Sequence, residues 1–335
     1  MSPEAPPLED EAARAQVMVQ RFGRWLAWGI GVAVLLYLAG SVWAGVRDVG
    51  EALARFAWLL YIPVLLLTLV NYGLRFWKWH YLLGRLGVHV PVRENLIIFA
   101  SGLAMVVSPA KAGEVLKPYL VRVRTGAPMA QTLPALVTER LTDGIATLIL
   151  AAISVGTYAS DRAWVVFGLI GMVAVGIAVL SHEGLSLTLL RGAERIPGVH
   201  RLASKLEILY RAMRVCVAPV PLLLTVGASM IAWGAECVGY LLVFRGFGLD
   251  VSLDLCTFLY AFATVLGGFM PGGLGVADGA LVGGSLQFVE GLSHADAVAS
   301  ALLIRAATLW FGELLGALAM LRVPALLGNR RGRSA

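Results

Sequence analysis

Long uncharged apolar runs alternate along this chain with short polar and basic stretches, and runs of that length fit helices that cross a bilayer. Full spans are expected at about 25–46, 57–74, 136–158, 163–181, 216–244 and 297–321. Three further pieces, 96–107, 255–270 and 277–289, are short for a span and fit half-helices or hairpins that enter and leave on one side. Two of these break at proline and glycine beside charge. Leu96 to Val107 runs into Ser108, Pro109, Ala110, Lys111, Ala112, Gly113 and Glu114, and Leu255 to Met270 runs into Pro271, Gly272, Gly273, Leu274, Gly275 and then Asp278. Each is followed, about thirty residues on, by an apolar helix carrying charge: Glu139, Arg140 and Asp143 after the first, Arg305 and Glu313 after the second. Interrupted apolar segments at corresponding positions of two halves point to a transport site near mid-membrane. The expected fold class is therefore an all-α polytopic membrane bundle of six full spans plus two interrupted, re-entrant segments, with an inverted repeat suggested. Eight straight spans are the alternative.

Composition fixes the solvent. With 59% hydrophobic and 14% charged residues and a mean hydropathy of +0.79, the chain does not read as a water-soluble domain. The run Trp25 to Val46 exceeds the apolar core of a secretory signal and reads as an uncleaved first span, with Trp25, Trp28 and Trp43 as interfacial anchors. Placing the N-terminus inside assigns 21 Lys/Arg to the cytoplasmic pieces 1–24, 75–95, 108–135, 182–219 and 322–335, against four in outer loops. That asymmetry sets both termini in the cytoplasm of a plasma-membrane protein. The domain plan is a tail over 1–24, one transmembrane domain over 25–321 with a basic loop at 182–219, and a basic tail over 322–335. With this orientation the first broken segment dips in from the cytoplasm and the second from outside.

Charge inside a bilayer helix costs roughly 2.5–3.5 kcal/mol per group on insertion scales, so such groups face a cavity or a partner. Glu139 and Asp143 are four apart on one helix face, with Arg140 beside them; Glu139 and Asp143 also lie near enough to the cytoplasmic end to be interfacial. Arg305 and Glu313 are eight apart, and Glu236 stands alone in an uncharged stretch from Val215 to Phe244. The plain alternative is that these groups pair across helices and only hold the bundle. Lys111, Glu114, Lys117 and Asp278 place charge at the breaks, where half-helix N-termini offer free amides to an anion. Gly275, Gly279 and Gly283, spaced by four, read as a ladder for close helix approach. The cluster Arg75-Phe76-Trp77-Lys78-Trp79-His80-Tyr81 reads as a cytoplasmic aromatic and basic belt or as a phospholipid headgroup site. The three scattered cysteines and five histidines offer no metal set, and no P-loop, nucleophile elbow or HExxH is present, which excludes an ATP-driven pump within this one chain. The basic residues are spread along loops, so a pI near 9.4 does not read as nucleic-acid binding.

Five pieces together, RFWKWHYLLGRLG (75–87), SPAKAGEVLKPYL (108–120), ERLTD (139–143), PGGLGVADG (271–279) and Arg305 with Thr308, carry a family resemblance. In this order they resemble the lysylphosphatidylglycerol synthase transmembrane region, also called the flippase-like or UPF0104 family, over about 20 to 325. The resemblance implies an integral inner-membrane protein that moves or handles lipids or lipid-linked molecules. In two-part members this region flips an aminoacylated phosphatidylglycerol made by a fused cytosolic domain. The expectation here is that the domain is absent and that synthase activity does not carry over. Stand-alone members linked to hopanoid lipids are one place for such a chain. The family-matching positions are Arg75, Pro109, Gly113, Glu114, Lys117, Glu139, Arg140, Asp143, Pro271, Gly272, Gly273, Gly275, Asp278 and Arg305, with Asp278 standing where the family usually has Glu.

The leading expectation is a lipid transporter or flippase, not an enzyme, with a cavity between the broken segments. Arg75, Lys78, Lys111, Lys117, Arg140 and Arg305 would meet a headgroup, while Glu114, Glu139, Asp143 and Asp278 would pair with them, gate the cavity or carry protons. Pro109, Gly113, Pro271, Gly272, Gly273 and Gly275 form the breaks. No cofactor or metal is implied; the partners are membrane lipids, anionic or lipid-linked, and conceivably a lipid-biosynthetic enzyme, with the oligomeric state open. A membrane-embedded enzyme using Glu139 and Asp143 as acid and base, or a small-solute secondary transporter, are the other readings.

Overall fold

The computed structural model describes residues 31–32, 35, 42, 45–108, 113–160, 163–181 and 203–328. The tail 1–24, nearly all of the first expected span with Trp25, Trp28 and Trp43, the break residues Pro109 and Lys111, the loop residues 182–202 and the end 329–335 lie outside them.

Every regular element among the described residues is helical. In chain order these are α1 (Val46–Arg55), α2 (Tyr61–Arg85, led by a 3-10 turn at Trp58–Leu60), α3 (Val92–Leu103), α4 (Leu116–Thr125), α5 (Met129–Tyr158), α6 (Ala163–Ser181), α7 (Ala203–Cys216), α8 (Pro219–Gly246), α9 (Leu253–Leu266), α10 (Val276–Phe288), α11 (His294–Arg305), α12 (Phe311–Met320) and α13 (Val323–Gly328). A π-helical segment, Ala306–Trp310, joins α11 to α12. Local signals set several of these starts. Ser252 and Ser293 cap α9 and α11 by accepting from the amides of Leu255 and Asp296, and Pro219 opens α8 where its missing N–H costs nothing.

Among the described residues, four helical stretches are long and apolar enough to cross a membrane: Trp58–Arg85, Met129–Tyr158, Pro219–Gly246 and His294–Met320, with Val166–Val179 and Leu253–Leu266 as shorter apolar helices. The burial pattern is inverted relative to a water-soluble protein. Leu223 is 72% exposed and Leu318 53%, while Lys78 and Glu139 are fully buried. Apolar side chains face outward into the lipid, and the polar groups are sealed inside.

Among the described residues two large apolar cores lie at opposite ends of the bundle, and a small third joins Val49, Ala52, Ala295, Val298 and Ala299. The first joins Trp79, Leu82, Ile98, Phe99, Leu116, Leu120 and Met320; the second joins Val64, Ala151, Tyr240, Phe244, Cys256, Leu259 and Ile304. Along α2, α5 and α8 the buried polar residues fall between them, so the charged layer sits deep in the bundle. On α5, Glu139 and Asp143 lie about 15–21 Å from the N-terminal end of a helix about 45 Å long at 1.5 Å per residue. They are not interfacial.

The two broken segments are hairpins. α3 and α4 both pack into the first core, and α9 and α10 both pack into the second, so each pair returns to the side it came from. At 12 and 14 residues, α3 and α9 are too short to span about 30 Å of hydrocarbon. Their tips meet: the amide of Gly272 donates to the Val106 carbonyl at 3.0 Å, and Glu313 accepts from the amide of Val107 at 3.2 Å. Gly272, Gly273 and Gly275 hold φ of 57°, 73° and 78°, the left-handed region that favours glycine, which is why the second break reads PGGLG.

The glycine ladder does not pack as its spacing suggests. A Cβ placed on Gly279 or Gly283 meets no atom within 4 Å, whereas one on Gly284 would lie 2.7 Å from Leu259 Cδ2. The close face of α10 is one position round from the expected one.

Candidate functional site

Four polar residues mark one face of α2. Thr68, Asn71, Arg75 and Lys78 are spaced by three, four and three, and all are buried against α5 and α8. This corrects the reading of 75–81 as a cytoplasmic belt. The helix runs on to Arg85, carrying Arg75, Lys78 and Trp79 inside, while Trp77 and Tyr81 stack at 5.4 Å. The sequence window ends the apolar span at 74 because it sees charge without seeing the partners brought by distant helices.

Those partners are close. Lys78 Nζ donates to Asp143 Oδ1 at 2.5 Å, to Ser229 Oγ at 2.5 Å and to Thr142 Oγ1 at 3.3 Å, so all three of its protons are used. Lys117 Nζ donates to Glu139 Oε2 at 2.6 Å and stands 4.8 Å from the Trp79 ring and 5.2 Å from the Phe99 ring. Its stem occupies the space a side chain at residue 102 would need, since a Cβ on Gly102 would lie 2.7 Å from Lys117 Cγ and Cδ. These two lysines are structural counter-ions at the back of the site.

The two guanidiniums are held more loosely. Arg140 Nη2 donates to Glu139 Oε1 at 2.5 Å, but its Nε lies 3.2 Å from Glu114 Oε2 without hydrogen-bond geometry, and Nη1 lies 3.7 Å from Asp143 Oδ2. Arg75 reaches Glu139 Oε1 at 3.7 Å through Nη2 and Asp143 Oδ2 at 3.6 Å through its buried Nε, both beyond hydrogen-bond length. Around this point four cations (Arg75, Lys78, Lys117 and Arg140) face three carboxylates (Glu114, Glu139 and Asp143). Glu236 lies on the same cavity wall, so the charges balance when it is a carboxylate and leave one cation in excess when it carries a proton.

A cavity of about 700 Å³ opens beside them. Arg75, Glu114, Arg140, Asp143 and Arg305 line it, together with Asn71, Tyr72, Trp233, Glu236, Tyr260 and Thr308. Buried polar atoms without a hydrogen bond gather there: Arg75 Nε, Arg140 Nε, both Glu114 carboxylate oxygens, Asp143 Oδ2 and Trp233 Nε1, with Arg140 Nε facing Glu114 Oε2 and Arg75 Nε facing Asp143 Oδ2 only as ion pairs. Buried donors and acceptors of a folded protein are normally satisfied, so such a gathering around one void marks a place for a polar ligand. The rest of the wall is apolar. Val115, Val137 and Met172 line the cavity and are 37%, 43% and 65% exposed, so among the described residues the void is not sealed here, and Val137 and Met172 stand within α5 and α6, on the flank of the bundle.

At the second break Arg305 is held by the turn itself. Its Nε donates to Asp278 Oδ1 at 2.8 Å and its Nη2 donates to the Gly272 carbonyl, while Asp278 Oδ2 accepts from the Gly275 amide at 2.8 Å. Arg305 thus fastens the PGGLG turn to α11, and its side chain forms part of the cavity wall. The π-segment follows at once, and Tyr72 Oη donates to the Thr308 carbonyl within it at 2.9 Å. Single-turn π-helical segments of this kind recur at functional sites.

The structure thus places Arg75, Glu114, Arg140, Asp143 and Arg305 on the cavity, Lys78, Lys117 and Glu139 behind it, and Asp278 at the hinge of the second break. Gly113 seals the first break: its amide donates to Ser108 Oγ at 2.8 Å, and a Cβ there would sit 2.9 Å from Met105 Cβ. Of the other lining residues, Thr308 stands in the motif with Arg305, while Asn71, Tyr72, Trp233 and Tyr260 were not singled out by the sequence. The stripe at 68, 71, 75 and 78 in an otherwise apolar helix was the available signal for the first of them.

A family model described as the lysylphosphatidylglycerol synthase TM region matches residues 25–316. Two relatives from Methanothermobacter thermautotrophicus, each described as a UPF0104 membrane protein, are similar over most of their length. One is 26% identical over 310 residues, covering 86% of this chain and 90% of the relative. The other is 22% identical over 324 residues, covering 87% and 93%.

Proposed function

The chain belongs to the lysylphosphatidylglycerol synthase TM region family, and from that premise we propose that it moves a phospholipid or lipid-linked molecule across the membrane, binding the headgroup at Arg75 and Arg140. The observation that carries this reading is the cavity itself, with two under-bonded guanidiniums at its polar end and a sideways apolar mouth. A phosphate is the group that planar, forked donors of this kind bind best. The acyl chains would leave past Val115, Val137 and Met172 and stay in lipid. Glu114 and Asp143 hold the guanidiniums apart until a ligand arrives. In this reading the protein is a transporter and not a catalyst, and it sits in the plasma membrane with both termini inside. Taking the buried Arg75, Lys78 and Lys117 out of the loop tally leaves eighteen Lys/Arg against four, which still supports that orientation.

The test is leaflet-resolved lipid labelling. The protein is reconstituted in phosphatidylcholine vesicles holding a trace of headgroup-labelled phosphatidylglycerol, and an impermeant quencher reports how fast label leaves the outer leaflet. Wild type is expected to accelerate that movement, and the Arg75→Gln, Arg140→Gln double variant to lose it. Equal rates for the two would sink the headgroup assignment.

A further inference from the structure

The headgroup reading leaves one cavity-lining group without a task. Glu236, midway along α8, is 2% exposed, makes no ion pair among the described residues, and is held by a single long hydrogen bond from Thr68 Oγ1 at 3.4 Å. Asn71 directs its Nδ2 to the Ala232 carbonyl at 3.0 Å. An isolated carboxylate in such a place is costly to hold charged, and a proton or a cation must compensate it. A cation on the same cavity wall is placed to do so. Arg75 lies seven residues after Thr68, two turns along the same face of α2, and both of its ion-pair contacts, to Glu139 and Asp143, are long at 3.7 and 3.6 Å.

We propose that Glu236 is an exchangeable-proton site coupled through Arg75 to occupancy of the headgroup site, so that an anionic headgroup and a proton bind together. This rests on the headgroup reading above. When a phosphate holds Arg75, Glu236 keeps its proton. When the phosphate leaves, Arg75 turns toward Glu236, the carboxyl O–H bond breaks, the proton passes to cavity water, and the guanidinium balances the carboxylate left behind. The remaining titratable and charged groups around Glu236 fit this exchange. Tyr72 on α2 and Tyr260 on α9 line the same cavity, Cys237 is the next residue on α8, and Arg140, Asp143 and Arg305 lie on the same cavity wall. Linkage is reciprocal: if the proton favours the anion, the anion favours the proton equally. Headgroup affinity therefore rises as pH falls. The loaded unit, one negative headgroup charge plus one proton, carries no net charge across the membrane.

Two measurements decide it. Infrared titration of the protein in pure phosphatidylcholine vesicles is expected to show a titrating carboxylic-acid carbonyl band that is absent from Glu236→Gln and retained in Glu313→Gln. Identical bands in wild type and Glu236→Gln overturn the proton site. In the labelled-phosphatidylglycerol vesicles, an imposed pH difference is expected to drive label toward the alkaline leaflet by about tenfold per pH unit, as one coupled proton requires. Glu236→Gln is expected to abolish that bias and Glu236→Asp to restore it. Lipid movement in wild type that ignores the gradient overturns the coupling and leaves the headgroup site standing. No movement at all overturns both.

Discussion

Arg75 and Lys78 sit one turn apart on α2 and do opposite jobs. Lys78 spends every proton on fixed partners, and without it Asp143 would be a buried carboxylate short of its nearest cation. Breaking a buried pair from one side typically costs about 3–5 kcal/mol. Arg75 makes only long contacts and leaves a donor unused. Lys78→Met is therefore expected to lower the unfolding temperature of the detergent-solubilised protein sharply. Arg75→Gln is expected to shift it little while removing lipid movement. Equal losses of stability in the two variants would mean that Arg75 is scaffold as well. The sequence alone could not draw this line. Both residues appear as cations in one motif, and what separates them is Ser229 and Thr142, polar groups too ordinary to be noticed and, for Ser229, 151 residues away from Lys78.

At the level of elements, glycine separates contact from open surface. Gly316 on α12 lies against the end of α3, and a Cβ there would stand 2.8 Å from Ala104 Cβ and 2.9 Å from the Ala100 carbonyl. Gly316→Ala must push α12 off the first hairpin, at an expected cost of about 1–3 kcal/mol for overpacking. Gly279→Ala meets only open space and removes a flexible residue from a helix, so it is expected to be neutral or stabilising by up to about 1 kcal/mol. Thermal unfolding of both variants checks the pair, and the opposite ranking would show that α10 packs through its ladder after all. The breaks themselves were legible because proline and glycine stand beside charge in an apolar run. The direction of each hairpin was legible only through loop charge. The close face of α10 was not, since a spacing of four marks a helix face and says nothing about what lies against it.

The whole molecule repeats one device with the charges exchanged. After the first break, Lys117 on α4 reaches Glu139 on α5; after the second, Asp278 on α10 reaches Arg305 on α11. The two hairpins come from opposite cores and touch at Val106 and Gly272, between the two ends of the bundle. If the proposed headgroup movement runs between them, that contact must part. A covalent tie should then stop transport without disturbing the site. A Cβ on Gly272 would lie 3.2 Å from Val107 Cγ2, within reach of a disulfide between Val107→Cys and Gly272→Cys. The left-handed φ of Gly272 makes cysteine there costly by about 1–3 kcal/mol, a penalty that falls on the reduced and oxidised proteins alike. The native Cys216, Cys237 and Cys256 are buried, so background oxidation is small. Oxidation of the double variant is expected to halt movement of labelled phosphatidylglycerol, and reduction to restore it. Full activity with the bond formed would mean that the headgroup passes beside the tips, through the sideways mouth alone, and that the hairpins are a fixed floor and not a gate.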